Sequence, residues 1–113
     1  MMREWNHDEL LAFLTAKATG IVYIYTPLCG TCQVASKMMR VVAEMSDLDM
    51  GMMNLNFYPE LAVNMAVESV PCLLLIKEGI VVDKIYAFHS VPFLLEKINE
   101  LKLTVDIDPA STI

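Results

Sequence analysis

The sequence predicts an α/β domain in which a central four-stranded mixed sheet is flanked by helices, in the order αβαβαββα. Three observations carry this. Ile21-Val22-Tyr23-Ile24-Tyr25 is a continuous β-branched and aromatic run, the pattern of a strand buried on both faces. Val34, Met38, Val41 and Met45 then recur at steps of four, three and four, the stripe of an amphipathic helix. Apolar runs at residues 72–77 and 80–86 flank Glu78-Gly79 and read as a β-hairpin.

The remaining elements follow in order. Asn6 with Glu9 three residues later has the form of a helix amino-terminal cap, and Leu10, Leu11 and Leu14 follow at helical spacing, so a first helix is expected over residues 8–18. Gly20 breaks it before the central strand. After Pro27 and two closely spaced cysteines comes the second helix. Met52-Met53-Asn54-Leu55-Asn56-Phe57 reads as a strand, and Pro59-Glu60-Leu61 as the first turn of a short helix ending near Met65. Pro71 precedes the hairpin. A last helix begins near Ser90, with Pro92 in its first turn and Phe93, Leu94, Leu95, Ile98 and Leu101 following. The segment 104–113 has no periodicity and reads as a tail. No repeat or low-complexity linker interrupts the chain, so residues 1–113 are taken as one domain with its core at about 8–103.

Composition narrows the function classes. A chain of 113 residues that is 56% hydrophobic can build one packed core. No apolar run approaches the roughly 18 to 20 residues that cross a bilayer, so no membrane span is expected. The amino terminus goes straight into charged residues and lacks a secretory pattern, which gives a cytoplasmic expectation. A net charge of −6 with scattered basic residues repels a phosphate backbone, so nucleic acid is not an expected partner. Nothing in the pattern demands more than a monomer. Three cysteines do not make a disulfide scaffold, but two of them form the C-x-x-C motif Cys29-Gly30-Thr31-Cys32 between a strand and a helix.

A strand–CxxC–helix junction, Val70-Pro71 directly before a strand, and Lys77-Glu78-Gly79 at the hairpin turn together resemble the thioredoxin superfamily over about residues 8–103. The resemblance implies a thiol–disulfide oxidoreductase acting in cell redox homeostasis and electron transport. It implies no cofactor beyond a redox-active Cys29–Cys32 disulfide, disulfide-containing protein substrates, and a thioredoxin-reductase-like enzyme or low-molecular-weight thiol as electron donor. Cys29 is then the nucleophile and Cys32 the resolving thiol. The physics agrees, because a thiolate attacks a disulfide and the dipole at a helix start favours negative charge. The resemblance also implies a cis Val70–Pro71 bond, substrate pairing along the backbone of Val70, and an apolar rim of Leu28, Gly30, Thr31 and Val70 beside Pro71.

The sequence departs from that family where it matters for mechanism. Leu28 stands at the usual tryptophan and Thr31 at the usual proline. Tyr23 and Met52 stand at the positions of the family's buried aspartate and its accompanying lysine. No inherited carboxylate then deprotonates Cys32, leaving water or the substrate to accept its proton. Cys72 follows Pro71 and reads as a small buried hydrophobe near the site, the nine methionines as core filler, and His7 and His89 as solvated residues far from the motif. Glu96, Lys97, Glu100 and Lys102 read as a solvated helix face. Two other function classes stay open. A metal or iron–sulfur module built on Cys29, Cys32 and Cys72 would need a ligand from outside the chain and predicts bound metal. A protein-binding module using only the groove beside Val70-Pro71 would survive replacement of both cysteines by serine.

Overall fold

The computed structural model describes residues 2–106, with side chains described through residue 101. Its elements are β1 (Met2–Glu4), α1 (His7–Thr15), β2 (Gly20–Tyr25), α2 (Gly30–Met45), β3 (Asp49–Asn54), α3 (Leu61–Asn64), β4 (Cys72–Lys77), β5 (Ile80–Ile85) and α4 (Val91–Asp106). The strands form one mixed sheet in the order β1-β3-β2-β4-β5. β1 and β2 flank β3 in parallel, β4 runs antiparallel to β2, and β5 antiparallel to β4.

The sheet therefore has five strands where four were expected. The extra one, β1, pairs Met2, Arg3 and Glu4 with Met50, Gly51 and Met52. Its residues alternate in no apolar pattern, because a three-residue edge strand is held by main-chain bonds and needs no buried face of its own. The strand expected at residues 52–57 lies at Asp49–Asn54, since pairing with β2 runs from Gly20↔Asp49 to Tyr25↔Asn54. The first helix stops at Thr15 rather than Ala18, with Lys17 in the left-handed region (φ 55°). The last helix runs to Asp106 and takes in Thr104, which was assigned to the tail; residues 107–113 of that tail lie outside the described residues.

Local chemistry explains the starts and turns. Asn6 Oδ1 accepts from the Glu9 N–H (2.8 Å) while Glu9 Oε1 accepts from the Asn6 N–H (3.1 Å), closing the expected capping box on α1. Ser90 Oγ accepts from the Phe93 N–H (3.2 Å) at the head of α4. In the hairpin, Gly79 adopts φ 80° and donates its N–H to the Ala18 carbonyl (2.9 Å), tying the β4–β5 turn to the segment between α1 and β2.

β2 and β4 are buried on both faces, and alternate residues feed two cores. Tyr23, Leu73, Met39, Leu94 and Ile98 fill the side covered by α2 and α4. Ile24, Leu74, Ile76, Leu10 and Leu61 fill the side covered by α1 and α3. The stripe expected to seat α2 is displaced: the helix buries Cys32, Ala35, Met39, Val42 and Ala43, whereas Val34, Val41 and Met45 are exposed. The helix is apolar over two adjacent faces, and the one carrying Ala35 and Ala43 is the one that packs with the sheet residues.

Gly51 marks another close approach. A Cβ there would overlap the buried Trp5 indole, a rigid ring with no free end to swing aside. Gly51→Ala is expected to lower stability by about 1–3 kcal/mol, as overpacking of a filled core does. A fall in the urea midpoint with an unchanged slope checks it.

Candidate active site

β2 ends at Tyr25, and Thr26-Pro27-Leu28 turns the chain into α2, with the Cys29 N–H donating to the Thr26 carbonyl (3.4 Å). Cys29 is the N-cap of α2, in extended geometry (φ −85°, ψ 118°). Its Sγ accepts from the Cys32 N–H (3.1 Å) and lies 3.1 Å from the Thr31 hydroxyl. A sulfur thus occupies the place of the capping oxygen, at the positive end of a 16-residue helix. The Cys32 thiol, then the Thr31 hydroxyl, hold Cys29 below the usual thiol pKa. Cys32 is buried at 1% exposure, and desolvation followed by the neighbouring Cys29 pushes it up to about 11. Both are free thiols in this structure. The two sulfurs are therefore unequal, one only half-buried and favouring the thiolate, the other fully buried and neutral.

Beside Cys32 sits Tyr23, the residue expected at the position of the family's buried aspartate. The Tyr23 hydroxyl donates to the Cys32 carbonyl (3.0 Å) and shares a hydrogen bond with Ser36 Oγ (2.9 Å). Tyr23 pairs with Met52 across β2 and β3, so the expected aspartate and lysine positions do face one another, as a phenol and a thioether. Burial pushes the Tyr23 hydroxyl up to about 12, so it stays a neutral donor and supplies no carboxylate. The signal was present in the sequence: a tyrosine in a fully buried strand needs a partner for its hydroxyl.

The predicted rim divides. The Val70–Pro71 bond is cis, Pro71 is buried and Val70 half-buried. Gly30, Thr31, Val70 and Pro71 line one groove of about 520 Å³, together with Met38 of α2 and the loop after β5. Leu28 does not line it; at 96% exposure it stands out from the turn before Cys29. His89, expected far from the motif, lines the same groove, with its ring edge-on to Phe93 at 4.7 Å. The loop between β5 and α4 folds back over α2, a tertiary approach that separation along the chain conceals. Cys72 is the small buried hydrophobe expected, with its thiol hydrogen-bonded to Tyr86 of the groove. It is fully buried on the α1/α3 side of the sheet, and desolvation pushes its thiol up to about 11. His7 also lies away from the site, 3.9 Å from Glu60. Among the described residues no cluster of three His, Cys, Asp or Glu side chains could hold a metal ion.

A dithiol capping a helix beside a cis-proline loop, on a mixed sheet covered on both faces, defines a thioredoxin-fold dithiol protein. The chain belongs to the thioredoxin family: residues 2–100 match that family's sequence profile, described as Thioredoxin. It is 51% identical over 81 residues to the thioredoxin-like protein YusE of Bacillus subtilis (strain 168), an overlap covering 71% of this chain and 76% of that one. It is 31% identical over 86 residues to a thioredoxin of Chlamydia caviae, covering 74% and 84% of the two chains. Among solved structures, a single-site mutant of the thioredoxin of Halobacterium salinarum NRC-1 superposes with a TM-score of 0.77 at 22% identity, covering 88% of each chain. Chloroplastic thioredoxin z gives a TM-score of 0.77 at 16% identity, covering 90% of this chain and 95% of that one. Family membership supports a thiol–disulfide oxidoreductase type of function.

Proposed function

We propose that the protein reduces disulfides in protein substrates by dithiol exchange, with Cys29 as nucleophile, Cys32 as resolving thiol, and a reductase or low-molecular-weight thiol restoring the pair. The observation that carries this reading is the inequality of the two sulfurs, a half-buried, helix-capping Cys29 against a fully buried Cys32. In the first step the Cys29 thiolate attacks one sulfur of the substrate disulfide. A Cys29–substrate bond forms and the substrate's second sulfur leaves as a thiolate. In the second step Cys32 loses its proton and attacks Cys29. The Cys29–Cys32 disulfide forms, the mixed disulfide breaks, and the substrate leaves with two reduced sulfurs. Two electrons pass from the dithiol to the substrate, and the dithiol itself is the redox group, with no separate cofactor.

Substrate docking is assigned to the groove, where the main chain of Val70 pairs with an extended segment and Gly30, Thr31 and Pro71 bound the reacting sulfur, with Leu28 a separate apolar contact. Because Tyr23 is neutral, the departing substrate thiolate or water takes the Cys32 proton. Action as a monomer in a reducing, cytoplasmic setting fits this direction of electron flow. The test is a thiol titration across dithiol/disulfide redox buffers, with mass spectrometry locating the bridge and a metal assay on the same sample. A reversible Cys29–Cys32 disulfide with a potential near or below that of the cytosolic thiol pool supports the reading. A pair that stays reduced and metal-loaded refutes it.

A further inference from the structure

The loop between α3 and β4 carries Val70, the residue whose main chain the proposed function uses, yet residues 66–71 belong to no helix or strand. Ala66 opens it in the left-handed region (φ 52°), which an alanine adopts only with outside support. That support comes from β5 and the residue after it. The Tyr86 hydroxyl accepts from the Glu68 N–H (3.2 Å) and donates to the Ala66 carbonyl (3.5 Å). Lys84, two residues earlier and so on the same face, donates its Nζ to the same carbonyl (3.3 Å). Val67, between the two tethered residues, is buried in the core. The main chain is thus held on both sides of Val67, two residues short of Val70.

We propose that Tyr86 is a positioning residue for substrate docking: its hydroxyl pins the 66–70 loop so that the main chain of Val70 is presented beside Cys29 to an extended, disulfide-bearing peptide segment. The proposal rests on the oxidoreductase reading above. Strand-like pairing needs N–H and C=O groups held to a narrow range of distance and angle, and a loop that must first be ordered adds that entropy loss to the cost of docking. No hydrogen bond joins Tyr86 to Cys29 or Cys32 among the described residues. The hydroxyl accordingly acts on docking and leaves the thiolate alone.

The test separates these in a Cys32→Ser background, where the reaction stops at the mixed disulfide. Two probes are used: Ellman's reagent, and an extended peptide whose single cysteine is capped by thionitrobenzoate. In each, Cys29 forms the new S–S bond and thionitrobenzoate leaves as the coloured thiolate; with the peptide, the bond forms to the peptide's sulfur. Adding Tyr86→Phe keeps the ring, removes both hydrogen bonds to the loop along with the one to Cys72, and is expected to slow the peptide reaction about five-fold, with the Ellman rate unchanged. Lys84→Met is expected to give a smaller loss of the same kind, and decides the matter if Tyr86→Phe does not fold. Equal peptide rates in variant and parent overturn the proposal, as does an equal loss with both probes, which places Tyr86 on the thiolate itself. If Cys29 in the parent fails to react with Ellman's reagent, the oxidoreductase reading falls first and the proposal with it.

Discussion

Cys32→Ser is expected to convert a turning-over reductase into a stoichiometric trap, one mixed disulfide per chain, whereas Cys29→Ser is expected to abolish turnover and trapping together. The asymmetry follows from where the sulfurs sit. Cys29 caps α2, and its thiolate is favoured first by the Cys32 thiol, a place a serine hydroxyl can take, then by the Thr31 hydroxyl and the Cys32 N–H. Serine at position 32 keeps that N–H, so the first step survives and the second has no nucleophile. Cys32 left alone is still buried, and desolvation, the main cause of its raised pKa, still disfavours its thiolate, so it does not replace Cys29. Incubation with a disulfide-containing protein, followed by non-reducing electrophoresis, reads both outcomes. A mixed disulfide in the Cys29→Ser variant as abundant as in Cys32→Ser would falsify the assignment of roles.

The second large effect is in pH. Cys29 alkylation by iodoacetamide is expected to follow a single titration whose midpoint lies below the ordinary thiol value of 9.0, because its hydrogen bonds favour the thiolate. Cys32 and Cys72 are expected to stay unlabelled across the same range and to react only as pH approaches about 11. Stability then follows with opposite signs. Cys29, with its folded pKa lowered, stabilises the fold above the unfolded thiol value, and that contribution is lost as pH falls through its folded pKa. Cys32 and Cys72, with folded values raised, contribute stability that is complete below about pH 9 and is lost as pH rises toward about 11. Denaturant midpoints should therefore fall between about pH 9 and 11 in the parent, and less steeply in Cys72→Ala. The same raised value slows the resolving step near neutrality: with no carboxylate beside Cys32, its rate should climb with pH until that thiol titrates.

What could be read from the sequence was what local chemistry decides. The buried run at residues 21–25, the capping box at Asn6 and Glu9, the helix opened by a cysteine pair and the Glu78-Gly79 hairpin each depend on neighbours within a few positions. What escaped depends on pairing or packing between distant segments. β1 is an edge strand made by hydrogen bonds to β3, and the register of β3 is set by β2. The buried face of α2 is the one whose Ala35, Met39 and Ala43 join one cluster with β2 and β4, a choice that periodicity alone does not reveal. His89 reached the groove because a loop far beyond Cys32 along the chain folds back over α2. Cys72, the first residue of β4, turns into the core cluster on the α1/α3 side, the same cluster that Val70 and Tyr86 of the groove pack against.

That last placement has a consequence for fidelity. Three thiols in one small protein allow three intramolecular pairings, of which only one is useful, and the wrong ones would be dead ends. Here Cys72 is fully buried among Ile24, Met53 and Leu74, with its thiol hydrogen-bonded to Tyr86 of the groove. Pairing with Cys29 or Cys32 would require Cys72 to leave that buried position, so its burial works against mispairing.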